Sequence, residues 1–242
     1  MSPIAPPTIG LRPFLLRILT LLVGCAGLFW GVSNIARADV SDGFWYAEGR
    51  LLQFETFSPA ASKAMLKSVS AQDLSPCDNH SQRALMLIEI PLADAALRSG
   101  AVQEFDQRIH SLESRARQTL ACTPRDSFVW LLLFGMQTEH GILDEHTFDL
   151  LAMSYETAPN EAWIAIRRIV VAIPVLRVAP EPVQQKVLSE FETLIRRGFI
   201  ETTVRAYSDA PGSTRQLLQS RVDQLDPRSQ KRFFEALHKL RS

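Results

Sequence analysis

The chain has 242 residues with 26 basic and 26 acidic side chains, a formal net charge of zero and a pI near 7.0. Neither sign gathers into a block, which argues against a nucleic-acid-binding arm or an acidic tail. Leu, Ala, Arg, Glu and Gln dominate beyond Asp78 and β-branched alternation is nearly absent, so the folded part is expected to be all-α and large enough for one real core.

The N-terminus reads as a membrane element. After the Pro-rich start SPIAPPTIGLRP, Ile18 to Ile35 carries no charge for 18 residues. Counting Phe14 to Leu16 as well, this just spans a bilayer core at about 1.5 Å per residue. Arg12 and Arg17 precede the run and Trp30 stands near its far interface, which suits a cytoplasmic N-terminus; Arg37 and Arg50 beyond it keep the bias small. The expected division is a cytoplasmic tail over 1–13, a transmembrane helix over 14–36 and a periplasmic helical-repeat domain over 37–242, with the span in a bacterial inner membrane. Other readings of the same residues stay open. Ala36-Arg37-Ala38 fits a signal-peptidase site with cleavage before Asp39. Leu22-Val23-Gly24-Cys25 has the form of a lipobox with Cys25 acylated, although Ala26 to Val32 stays apolar. Each of these places the domain across the membrane, and only a buried globular helix does not.

Beyond the span, Gly43 to about Phe57 is expected to form a short helix carrying Phe44, Trp45, Leu51, Leu52 and Phe54. A second follows Ser58-Pro59 with Ala61, Met65, Leu66 and Val69. Ser75-Pro76-Cys77-Asp78 opens a longer helix whose stripe is Leu85, Leu87, Ile88, Leu92, Ala96 and Leu97, with Pro91 expected to kink it. Ser99-Gly100 ends it, and Val102 to Cys122 supplies a partner through Phe105, Ile109, Leu112, Ala116 and Leu120. Thr123-Pro124-Arg125-Asp126 starts the next helix, with Pro and the acid placed in its first turn, and this runs to Gly141. Phe148 to Tyr155 follows, Ala158-Pro159-Asn160-Glu161 restarts the pattern, and Val183 to Arg197 is amphipathic after Pro180-Glu181-Pro182. Helices from about Thr214 to Leu225 and from Pro227 to Leu240 complete the chain.

The starts at Ser75, Thr123 and Ala158 share a small residue, Pro, any residue and then an acid, and Pro124 lies 35 residues before Pro159. A tetratricopeptide unit repeats at about 34. The stretch from Ser75 to Leu176 resembles that family: Pro124 precedes Trp130 by the family's spacing, and Gly141 sits where its two helices turn. The resemblance implies a short stack of antiparallel helix hairpins, an α-solenoid that presents a groove for another protein's segment. The string Ser154-Tyr155-Glu156-Thr157-Ala158-Pro159-Asn160-Glu161, followed by Trp163 and Arg167-Arg168, is similar to single-span helical-repeat proteins encoded among bacterial exopolysaccharide synthesis and export genes. That likeness implies a periplasmic accessory role.

No residue pattern argues for catalysis. GxSxG, glycine-rich phosphate loops, CxxC pairs and dinucleotide fingerprints are absent. Of the five His residues, only Glu139-His140 with Asp144-Glu145-His146 forms a cluster, and it straddles the Gly141 turn, where polar residues are solvated. No cofactor and no metal site is expected. The expected function is a non-catalytic, membrane-tethered scaffold that assists polysaccharide assembly or export through a protein partner in the inner membrane or periplasm, without nucleic acid. Direct glycan binding and an unrecognised hydrolase are the alternatives. Candidate partner contacts are Glu161, Trp163, Arg167 and Arg168, since paired cations bind carboxylates through charge-assisted forks; local ion pairing or a solvated face is the competing role. Cys77 opens one helix of a hairpin and Cys122 closes the other, so their α-carbons are expected to approach disulfide range in an oxidising compartment.

The topology is directly testable. A reporter fused after Ser242 is expected to be active only in the periplasm; activity of a cytoplasm-only reporter there overturns export in every version.

Overall fold

A computed structural model describes residues 11–52, 57–68 and 74–241. The expected tail up to Gly10, together with Phe54 and Val69, lies outside the described residues. What is described is helical, with no strand: α1 (Leu11–Leu52), α2 (Pro59–Ser68), α3 (Asn79–Arg98), α4 (Val102–Cys122), α5 (Ser127–Glu139), α6 (Glu145–Thr157), α7 (Ala162–Ala172), a 3-10 segment (Ile173–Val178), α8 (Glu181–Arg197), α9 (Ile200–Asp209), α10 (Gly212–Val222) and α11 (Pro227–Arg241).

The largest departure from expectation is α1. Residues 14–36 do not form a helix of their own; a single helix of 42 residues joins the span to the segment expected as a separate short helix. Phe14–Ser33 is long and apolar enough to cross a membrane and buries nothing within the protein. Further along, Phe44, Ala47, Glu48 and Leu51 are buried against α3 at three- and four-residue steps. That docking outweighs Gly43, which costs a helix interior only about 1 kcal/mol. Trp45, expected on the same short helix, stays exposed and lies tilted against His80, ring centroids 4.8 Å apart.

The starts of three helices are set by acids acting as caps. Asp78 accepts from the Ser81 N–H, Asp126 from those of Phe128 and Val129, and Asp144 from that of Thr147. Pro76 and Pro124 therefore belong to the preceding turns, whereas Pro124 was expected in the first helical turn. Trp130 folds back on the second of these turns, its indole N–H donating to the Pro124 carbonyl at 2.8 Å. The stops share one device as well. At Gly141 and Gly198, with φ of +75° and +92°, two N–H groups bond back to the final turn, as at Gly198, where Gly198 donates to Ile195 and Phe199 to Leu194. α3 continues past Pro91 to Arg98.

Consecutive helices pair as α3 with α4, α5 with α6 and α7 with α8, and α5 also packs on α7 and α6 on α8. Farther on, α9 packs on α11, with Phe233 edge-on to Phe191 and Tyr207. α9 escaped the sequence reading although Thr203, Val204 and Tyr207 form a buried stripe, because its length is a bare ten residues between Gly198 and Pro211.

Cys77 and Cys122 are bonded, with α-carbons 5.1 Å apart, and close a loop of 45 residues around the α3–α4 hairpin. Replacing both by Ser is expected to lower unfolding free energy by roughly 4 kcal/mol by loop entropy. Alkylation and mass analysis without reductant checks the pairing: quantitative labelling of both thiols in native protein would rule the bridge out.

Candidate functional site

Glu161, Trp163 and Arg167 converge at the start of α7. The Trp163 indole donates to Glu161 at 2.7 Å, Arg167 lies 5.6 Å from the centre of the Trp163 ring, and Arg83 of α3 lies 5.4 Å from it. Glu161 is exposed, whereas Trp163 and Arg167 are half-buried. Arg167 donates to its own helix at Trp163 and, at 2.8 Å, to the Leu51 carbonyl in the last turn of α1. Burial holds its pKa down to about 10.

Arg168 corrects the expectation. Its side chain is fully buried, so it is no surface contact. One residue along a helix turns a side chain through about 100°, and Arg168 falls in register with Ile164, Ala165 and Ala172, on the face covered by α6 and α8. There its guanidinium donates to Glu190 of α8, at 2.5 Å for the shortest bond, and to the Ser154 and Ala158 carbonyls at the end of α6. All the N–H groups of the fork are engaged. Tyr155 donates to the same Glu190 at 2.9 Å. Burial pushes the Glu190 carboxyl up despite Arg168, and burial with the adjacent carboxylate raises Tyr155 well above its ordinary value.

A second polar junction lies where α1 meets the domain. Arg83 reaches Glu48 of α1 and Asp126, the cap of α5, each at 2.7 Å. Burial alone would lower the Arg83 pKa, and these two carboxylates raise it instead. His80 holds the other oxygen of Glu48 at 2.7 Å.

Beyond this junction the surface opens into an apolar groove of about 550 Å³ between α3, α4, α5 and α7, with Leu51 closing one end. Its floor is Leu87, Leu112, Leu131 and Met136. Leu97 and Val170 stand on its rim, 51% and 53% exposed. From Phe128 to Glu139 it follows α5 for about 16 Å, three helical turns. Arg167 stands at the Leu51 end and Asp94 and Glu139 at the other, with Glu139 free of any ion pair among the described residues. None of these groove residues other than Arg167 was singled out from sequence as a contact. Pro91, expected as a kink, is one of its walls.

Among the described residues no three of His, Cys, Asp and Glu are gathered as metal ligands. Asp144 of the Glu139–His146 stretch is spent as the α6 cap. No protein-family model matches the chain, and comparison with curated proteins and with solved structures returns no match.

The Arg168 network gives a stability test. Glu190→Leu, which strands a buried guanidinium, is expected to cost about 3–5 kcal/mol. The double change Arg168→Met with Glu190→Leu should recover most of it. Thermal unfolding of the two variants in detergent decides: equal losses would mean the ion pair does not couple α7 to α8.

Proposed function

We propose that the protein is a non-catalytic scaffold, tethered by α1 to the inner membrane, whose periplasmic domain holds another protein and thereby assists polysaccharide assembly or export. The observation that carries this reading is the groove: a three-turn apolar trough, open at Leu97 and Val170, on a domain joined without a break to a span-length helix. Exposed contiguous apolar surface is the usual mark of an interaction site. We read the hairpins α3–α4, α5–α6 and α7–α8 as a tetratricopeptide-like stack, supported by the α5–α7 and α6–α8 packing.

The occupant that fits is an amphipathic helix of a partner, with apolar residues at i, i+3 or i+4 and i+7 facing the floor. Charge complementarity orients it. Asp94 is paired with Arg98, whereas Glu139 has no ion pair among the described residues, so a basic residue of the partner helix belongs beside Glu139.

Photo-crosslinking in cells tests the proposal, with the crosslinker at Leu97 or Val170 in the groove and at exposed Lys231 on α11 as the comparison. One and the same protein adduct is expected from both groove positions, absent from Lys231, and lost from the Leu97 position on Val170→Asp, a change at an exposed rim residue, while the melting transition persists. Adducts of equal intensity from Lys231, or none from the groove, would overturn it.

A further inference from the structure

A second cavity, of about 640 Å³, lies between the end of α6 and the facing sides of α7 and α8, and one of its walls carries a row of polar and charged side chains that the groove lacks. On α8, Lys186, Ser189, Thr193 and Arg197 recur every three or four residues, so they share one face and form a wall about 16 Å long. Asn160, from the turn before α7, lies opposite. Ala162 and Ala165 keep that side shallow. Tyr155 and Glu190 form the floor, their polar atoms spent on one another and on the buried Arg168 behind them, which gives a fixed shape.

Apart from Lys186, the wall's own groups are unspent. Thr119, Thr157 and Thr203 in other helices turn their hydroxyls back onto the carbonyl four residues earlier. Ser189 and Thr193 make no such bond, and the side chains of Asn160 and Arg197 have no hydrogen-bond or ion-pair partner among the described residues. Lys186 is 3.9 Å from Glu156, a loose and solvent-facing pair. With Glu190 neutralised by Arg168, two cations face the cavity against one carboxylate.

We infer that this cavity binds an acidic oligosaccharide, its negative groups meeting Lys186 and Arg197 and its hydroxyls pairing with Ser189, Thr193 and Asn160. An acidic peptide is the competing anion, and the walls disfavour it. They are helices whose backbone groups bond internally, so an extended peptide finds no edge to pair with. The only aromatic ring, Tyr155, is buried beneath Arg168 at 4.3 Å and offers no platform for a Pro-rich segment. A ligand held by side-chain donors and acceptors alone, and carrying charge, is a polyhydroxylated anion.

The inference does not rest on the groove, and its test is built to fail separately. Full-length protein in detergent is titrated with oligogalacturonate, with maltooligosaccharide and polyglutamate as comparison ligands. Binding of oligogalacturonate is expected, weakened about tenfold or more by Lys186→Ala with Arg197→Ala, and several-fold by Ser189→Ala with Thr193→Ala, at unchanged melting temperature. Val170→Asp, which obstructs the groove, should leave the titration unmoved; loss of saccharide binding there would place the site in the groove and overturn the assignment. Equally tight maltooligosaccharide would remove the role of charge, and equally tight polyglutamate, or indifference to the hydroxyl variants, would remove the saccharide. Absence of oligogalacturonate binding would overturn the proposal outright.

Discussion

Arg83 is the side chain on which the relation between α1 and the rest of the fold depends. It sits on α3 and bridges Glu48 of α1 to Asp126 of α5, so three helices meet on one mostly buried guanidinium. Such a charge is tolerable only while its carboxylates stay in place, because an unpaired ion in the interior costs several kcal/mol. Asp126 is at once its partner and the cap of α5, and the Cys77–Cys122 bond fixes the start of α3 beside the end of α4 a few residues away. The register of α1 against the hairpins thus follows from constraints gathered at one corner. From that corner the groove begins, with Leu51 and Arg167 as its end wall.

A related use of arginine recurs at helix ends. The last carbonyls of a helix lack partners within it and need donors from elsewhere. Arg167 supplies one to Leu51 at the end of α1, Arg168 supplies Ser154 and Ala158 at the end of α6, and Arg215 of α10 supplies Tyr207, Ser208 and Ala210 at the end of α9. Each closes a helix with a side chain from a different helix, so the cap is also a packing contact. These ends carry no glycine at the stop, unlike Gly141 and Gly198, and local turn rules alone do not describe them.

That difference explains what was legible beforehand. Elements ended by a Pro-containing turn, an acid cap or a left-handed glycine were readable, because the conformation is dictated within a few residues. The α3–α4 hairpin was readable enough to bring Cys77 to Cys122. The continuity of α1 was not, since Phe44, Ala47 and Leu51 hold residues 39–52 helical only through α3, a tertiary effect. Arg168 carried a signal that its neighbour obscured. Read as a pair, Arg167-Arg168 looks like a basic patch; read by helical register, Arg168 falls on the stripe of Ile164 and Ala172, and Glu190 falls on that of Val183, Val187 and Leu194. Two opposite charges, each embedded in an apolar stripe, announce a buried pair. The groove had no local sign at all, since it is what remains between α3, α4, α5 and α7 once their stripes are used.

The unbroken α1 also makes the protein a ruler. From Ser33, where the span-length segment ends, to Leu51 at the mouth of the groove, the helix rises about 27 Å at 1.5 Å per residue. A rod of that kind, without Pro between those points, holds the groove at a set distance along its axis instead of letting it wander on a flexible leash. Inserting or deleting a residue there would rotate the docked face by about 100° as well as moving it, so the groove's distance from the span-length segment and its orientation about the helix axis are locked to each other by the helical pitch.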